Sequence, residues 1–215
     1  MGQTKPSVRR RGETRIQQRN RKEILDAAID VIAEMGFDGA RMEAISERSG
    51  LSRTNIHYYF RTRDELDQAV IKRVLDLWED LWQSLDKNGS PREVLGRYIS
   101  GKLLASWQQP KLSRIFAAEV FRGAPLLGKF IESEMRRTFE EACTTLRMWI
   151  QNGDLKSTNP EHVFFAIWGA TQYYADFNLT VTLILRKAEL TEADYNDASS
   201  TITNLILSGL MPDKD

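Results

Sequence analysis

A single cysteine among 215 residues, Cys143, leaves no internal disulfide to form. Long apolar runs are also missing: Val163 to Ala170, about eight residues, is the longest, against the ~20 that a bilayer-crossing helix needs. The first apolar stretch begins only at Ile24 and is interrupted by Asp26, Asp30 and Glu34, which argues against a signal peptide. The expected compartment is therefore the reducing cytoplasm, with no membrane association. His57 and His162 are too few and too far apart to build a metal site with one cysteine. No serine elbow or Cys/His pair is present, so neither an enzyme nor a cofactor is expected, and Cys143 reads as a packing residue.

Net charge is absent too, with 30 Lys plus Arg against 30 Asp plus Glu, but the balance is uneven along the chain. Residues 1–63 carry 13 basic and 8 acidic side chains, and residues 64–215 carry 17 and 22. Within residues 1–22, Lys5, Arg9, Arg10, Arg11, Arg15, Arg19, Arg21 and Lys22 face only Glu13. Such an arm can release counterions from nucleic-acid phosphates, although charge alone is equally compatible with a solubilising tail.

Apolar residues recur at helical rather than alternating spacing almost throughout, which predicts an all-α protein. The first helix is expected from about Arg19 to Met35, with Ile24, Leu25, Ala28, Ile32 and Met35 on one face and Gly36 as its left-handed end. Short helices follow from about Met42 to Ser49 and from about Arg53 to Tyr59, the latter capped by Ser52. A fourth, opened by a Thr62/Glu65 capping box, extends to about Asp86 before the interruption Lys87-Asn88-Gly89-Ser90-Pro91. Glycine and proline signals then separate helices at about 91–107, 111–121, 125–151, 160–185 and 191–209, for about nine in all. The expected organisation is a flexible basic arm (1–18), a small helical module (19–66) and a larger, aromatic-rich domain (67–215) that holds all five tryptophans.

Three short helices, the last two joined by a tight Gly50-containing turn and all preceded by a basic arm, describe a helix-turn-helix DNA reader. Ala44, Ile45, Leu51 and Ile56 suit the packing between helices two and three, and Tyr59 is assigned to packing as well. Arg53, Thr54, His57 and Tyr58 share the opposite face at helical spacing. Arginine suits guanine or phosphate, threonine a thymine methyl or phosphate, and histidine and tyrosine the phosphates or groove walls.

The stretch Ile24-Leu25-Asp26-Ala27-Ala28, Gly36-Phe37, Ala44-Ile45, Gly50-Leu51-Ser52 and Tyr58-Tyr59-Phe60-Arg61-Thr62-Arg63-Asp64-Glu65-Leu66 resembles the N-terminal signature of TetR-family transcriptional regulators. That resemblance implies a dimeric, ligand-responsive repressor of a near-palindromic operator. It also implies that Arg41, Met42, Ser52, Arg53, Thr54, His57, Tyr58 and Arg63 approach DNA, with Arg15 and Arg19 added from the basic arm. Many members have a tyrosine where this chain has His57. The blocks Ser113 to Glu119, Gly123 to Leu127 and Ile167 to Phe177 are similar to the effector domain of the RutR-like, pyrimidine-utilisation branch, which implies a pyrimidine base such as uracil or thymine as effector.

A flat, amide-edged ring needs apolar or aromatic walls and a few fixed donors and acceptors. Trp78 and Trp82 are four apart on helix four, and Trp168 and Gln172 are four apart further on. Trp78, Trp168, Thr171, Gln172 and Tyr173 are the ligand-binding candidates, although aromatic residues at helical spacing more often form a core or a dimer interface. Glu119 and Arg114 are expected to form a structural pair. Gly123 to Phe130 nearly fits a phosphate loop, but Phe130 stands where a hydroxyl is needed and no strand precedes it, so a helix turn is expected. Competing readings are the same DNA reader with a different flat effector, and an architectural DNA-binding protein that senses nothing.

Overall fold

The computed structural model describes residues 14–85 and 89–212. The arm's Lys5, Arg9, Arg10 and Arg11, and the expected interruption at Lys87-Asn88, lie outside the described residues. Among the described residues there are only helices and turns, and the chain divides into two compact units between Leu66 and Asp67.

In the first unit, α1 (Arg15–Gly39) begins four residues before its expected start. Thr14 and Gln17 form a capping box, with the Thr14 side chain accepting from the Gln17 amide and the Gln17 side chain accepting from the Thr14 amide, so helix nucleates inside the basic arm. Ile24, Ala28 and Ile32 are buried, but Met35 is 57% exposed. Gly36, at φ 71°, breaks the helical geometry there, and Phe37 beyond the break takes the core position instead.

Two short helices complete the module. α2 (Met42–Ser49) ends on Gly50 in the left-handed region, φ 69° and ψ 10°, where a side chain would be strained. The Ser46 hydroxyl donates to the Leu51 carbonyl at 2.7 Å and ties the turn. α3 (Arg53–Tyr59) is capped by the Ser52 side chain, which accepts from the Asn55 amide at 3.2 Å. Ile45 and Ile56 are completely buried, while Ala44 and Leu51 are half-buried. α4 (Arg63–Trp82) starts with Thr62 accepting from the Glu65 amide, but the Glu65 carboxylate accepts from Arg61 rather than closing the box on Thr62.

The second unit is built around α5 (Pro91–Gln108), which packs against α6 (Pro110–Phe121), α9 (Pro160–Asp176) and α11 (Glu192–Leu210). Val94, Leu95, Tyr98, Ile99 and Leu103 of α5 are buried in one cluster with Leu146, Trp149, Phe164 and Ile167. Cys143 belongs to that cluster, and burial pushes its thiol up to about 11. α7 (Gly128–Phe130) and α8 (Arg136–Gln151) are joined by the π-helical residues Ile131–Met135. The expected single helix over 160–185 is two, because the backbone breaks at Phe177 before α10 (Asn178–Leu185).

Candidate DNA-reading face and effector pocket

On α3, Ile56 points into the first unit while Arg53, Thr54, His57 and Tyr58 are exposed together. The Tyr58 ring, 67% exposed, stands edge-on to Tyr59 with centroids 5.1 Å apart. Its hydroxyl accepts from Gln17 Nε2 at 3.0 Å, and the half-buried Tyr59 hydroxyl accepts from Asn20 Nδ2 at 3.2 Å. Arg21 donates to the Tyr59 carbonyl at 3.3 Å and lies 4.4 Å from the Phe60 ring centroid. Thus α1 fixes the far end of the recognition helix through Gln17, Asn20 and Arg21. Sequence reading missed these three tethers, because only the fold brings residues about 40 apart into register.

The remaining candidates separate into exposed and engaged side chains. Arg15, Arg19 and Arg41 are exposed, with Arg19 3.4 Å from Glu23. Met42 is half-buried in the first turn of α2, and Ser52 is exposed with its oxygen serving the cap. Arg53 pairs with Glu43 at 2.7 Å across the α2–α3 surface. Arg63 differs from the rest: its half-buried guanidinium donates to the Ala40 and Phe37 carbonyls, the latter at 2.9 Å, inside the first unit. Those carbonyls lie where α1 ends, so Arg63 acts as a clasp there.

Within the second unit, Trp78, Trp168 and Gln172 line one pocket, as their spacing suggests. Trp82, Phe116 and Tyr98 supply further ring surface, and Phe130, just before the π-helical stretch, and Met135, at its end, line it as well. Trp82 and Trp168 meet edge-on at 5.7 Å, and Trp168 Nε1 donates to the Tyr98 hydroxyl at 2.8 Å. The free volume is only about 40 Å³, enough for a few water molecules. A small ring therefore needs side chains such as Phe130 or Met135 to yield.

Thr171 and Tyr173 do not line this pocket. Residues adjacent to Gln172 are turned by about 100° on the helix and face elsewhere. The Thr171 hydroxyl is buried and donates to the Ile167 carbonyl at 2.7 Å, while Tyr173 stacks on Phe177 at 4.9 Å on the outer face.

The pocket's most unusual group is one that sequence reading passed over. Lys102 is 4% exposed, and its ammonium lies 3.6 Å from the centroid of the Trp78 ring. Burial pulls its pKa down to about 7, against the opposing pull of Asp176. Asp176, raised by its own burial, accepts from the Ser113 hydroxyl at 2.7 Å. Burial also drives the Tyr98 phenol far above its ordinary value. The signal for Lys102 was a lone lysine on the apolar face that carries Tyr98, Ile99 and Leu103.

Glu119 is fully buried, but its partner is not Arg114, which is exposed. Its carboxylate accepts from Arg122 at 3.1 Å and from the Leu126 and Leu127 amides at 2.8 and 3.3 Å. The loop that resembles a phosphate cradle is thus filled by the chain's own carboxylate. Among the described residues no cluster of His, Cys, Asp or Glu could hold a metal ion, and no helix is long and apolar enough to cross a membrane.

Two family profiles match the two units: "Bacterial regulatory proteins, tetR family" over residues 24–70, and "YcdC-like protein, C-terminal region" over residues 71–213. The HTH-type transcriptional regulator RutR of Escherichia coli (strain K12) is 33% identical over 192 residues, covering 89% of this chain and 91% of that protein. HTH-type transcriptional regulator BetI of Brucella anthropi is 31% identical over 87 residues, which is 40% of this chain and 45% of that protein. Among solved structures, the ketosteroid transcriptional regulator KstR2 of Mycobacterium tuberculosis superposes with a TM-score of 0.74 at 17% identity, covering 90% of this chain and 95% of that one. AibR in complex with isovaleryl coenzyme A and operator DNA gives 0.66 at 15% identity, covering 86% and 97%. With a helix-turn-helix in its first unit and an all-helical second unit, the chain belongs to the TetR family of bacterial transcriptional regulators and is not an enzyme.

Proposed function

We propose that this regulator is a dimeric, ligand-responsive repressor whose effector is a pyrimidine base such as uracil or thymine. The observation that carries the reading is the convergence of Trp78, Trp168 and Gln172 on one pocket, where aromatic walls and an amide complement a flat ring with an amide edge. Its 33% identity with RutR over most of both chains supports the same ligand class. Arg53, Thr54, His57 and Tyr58 read bases and groove walls, and Arg15, Arg19 and Arg41 neutralise phosphates. Arg63 contributes by clasping the end of α1.

Two further features fit this function. Phe165, Tyr173 and Phe177, with Leu183 and Ile184 of α10 and Leu205 of α11, form an exposed apolar set suited to a second copy of the chain. A dimer presents two recognition helices to successive major grooves about 35 Å apart. α4 carries both Arg63 and Trp78, so a ligand that moves Trp78 acts on the helix that also holds the clasp. Coupling of ~1–3 kcal/mol, or roughly 5- to 150-fold in affinity, suffices for a switch.

The test is fluorescence anisotropy of the protein on its own upstream DNA at fixed salt, with uracil, thymine and adenine titrated separately. Release by the pyrimidines alone is expected. Specific binding that neither pyrimidine disturbs would overturn the effector and keep the DNA reader.

A further inference from the structure

The polar groups of the pocket leave donors over. Trp78 is buried, and its Nε1–H has no hydrogen-bond partner. Trp168 is already satisfied by Tyr98, so the unpartnered donor of the pocket is Trp78 Nε1, on the ring against which the Lys102 amine lies. A buried donor without a partner is costly unless something arrives to accept from it. The surrounding surface is aromatic, so the complement is a flat ring that brings its own acceptors.

We propose that the pocket takes a planar ring bearing carbonyl oxygens, and that Lys102 gains a proton from solvent as one of those oxygens meets its amine. The inference rests on the pocket being the effector site and adds how that site is regulated. In the free protein the amine is poised to lose its charge near neutrality, because burial opposes the ammonium more strongly than Asp176 supports it. A carbonyl oxygen accepts more strongly from an ammonium than from a neutral amine, so the occupied pocket favours the charged form. The proton passes from buffer to the Nζ lone pair, and no bond of the ring is broken.

Charged and titratable groups face Lys102 from the elements packed around it. From α9, Asp176, raised by its own burial, accepts from Ser113, with Arg114 of α6 adding positive charge near it. On α5 itself, Tyr98 stays a neutral phenol that accepts from Trp168. α4 presents the uncharged Trp78 indole. Lys102 is therefore the group whose proton count responds to occupancy. Effector binding should strengthen as pH falls towards about 7 and level off below, because free Lys102 is already protonated there.

Titration calorimetry with uracil, in two buffers of different ionisation heat, reads the proton count directly. Uptake approaching about one proton per site near pH 8, and falling towards zero near pH 6, is expected. Lys102→Met should abolish the buffer dependence and weaken uracil binding by about tenfold or more. If that variant fails to fold by circular dichroism, the wild-type buffer series decides alone. Uracil binding with no proton uptake at either pH would overturn the inference while leaving the effector reading intact. No binding of uracil, thymine or succinimide would overturn both.

Discussion

The two units treat polar groups in opposite ways. The first keeps them on its surface: Arg53, Thr54, His57 and Tyr58 are exposed, and their partners, such as Glu43 and Gln17, are exposed or half-buried. The second takes them inside, with Lys102, Glu119 and Thr171 almost inaccessible to water. A surface that must exchange water and counterions for DNA gains from weakly committed side chains, since exposed ion pairs contribute little to stability. A pocket that must discriminate among small rings gains from buried donors whose satisfaction depends on what enters. The contrast also forecasts where substitutions damage the fold and where they damage recognition.

The sharpest break should come from Glu119→Ala. It takes the acceptor from the Leu126 and Leu127 amides as well as from Arg122, and stranding a buried donor costs about 1–3 kcal/mol for each amide. Chemical denaturation should show this loss, and a change below about 1 kcal/mol would mean that the loop rearranges around the gap.

Arg63→Ala tests whether a side chain of the first unit can behave like those of the second. Losing charge-assisted bonds to the Phe37 and Ala40 carbonyls should cost about 1.5–3 kcal/mol. The salt dependence of DNA binding should stay near wild type. A slope lower by about one with no change in melting would instead make Arg63 a phosphate contact.

The smallest effect is expected for Glu43→Gln, which releases Arg53 from an exposed ion pair. Stability should change by less than about 1 kcal/mol, while affinity for non-specific DNA rises several-fold at low salt. Weaker DNA binding in this variant would show that Glu43 positions Arg53 rather than competing for it.

Local signals in the sequence reached the helices and the inward and outward faces of α3, because capping residues, Gly50 and apolar spacing act over a few residues. The same spacing puts Trp168 and Gln172 on one face, but only the packing turns Thr171, bonded to Ile167, and Tyr173, stacked on Phe177, away from the pocket. The Thr14/Gln17 capping box is equally local, although the basic residues around it mark the same stretch as an arm. Long-range pairings were not legible. The Glu119–Arg122 pair is a local i,i+3 contact, with Arg114 five residues away and off that face, whereas the bonds to the Leu126 and Leu127 amides depend on the turn at Gly123 and Ala124, both at positive φ. Tyr98, Lys102 and Phe116 enter the pocket through packing between helices, which periodicity within one helix does not specify.

The π-helical turn at Ile131–Met135 bears on how this pocket can evolve. Such a turn houses one residue more than an α-helical turn. Deleting one residue there would restore α-helical geometry with the rod intact, and would turn Gly128–Phe130 by about 100° and draw it in by about 1.5 Å relative to α8. Phe130 would leave the pocket wall in a single step. Single-residue insertion and deletion is thus a route to new effector range in this lineage, distinct from gradual exchange of lining side chains.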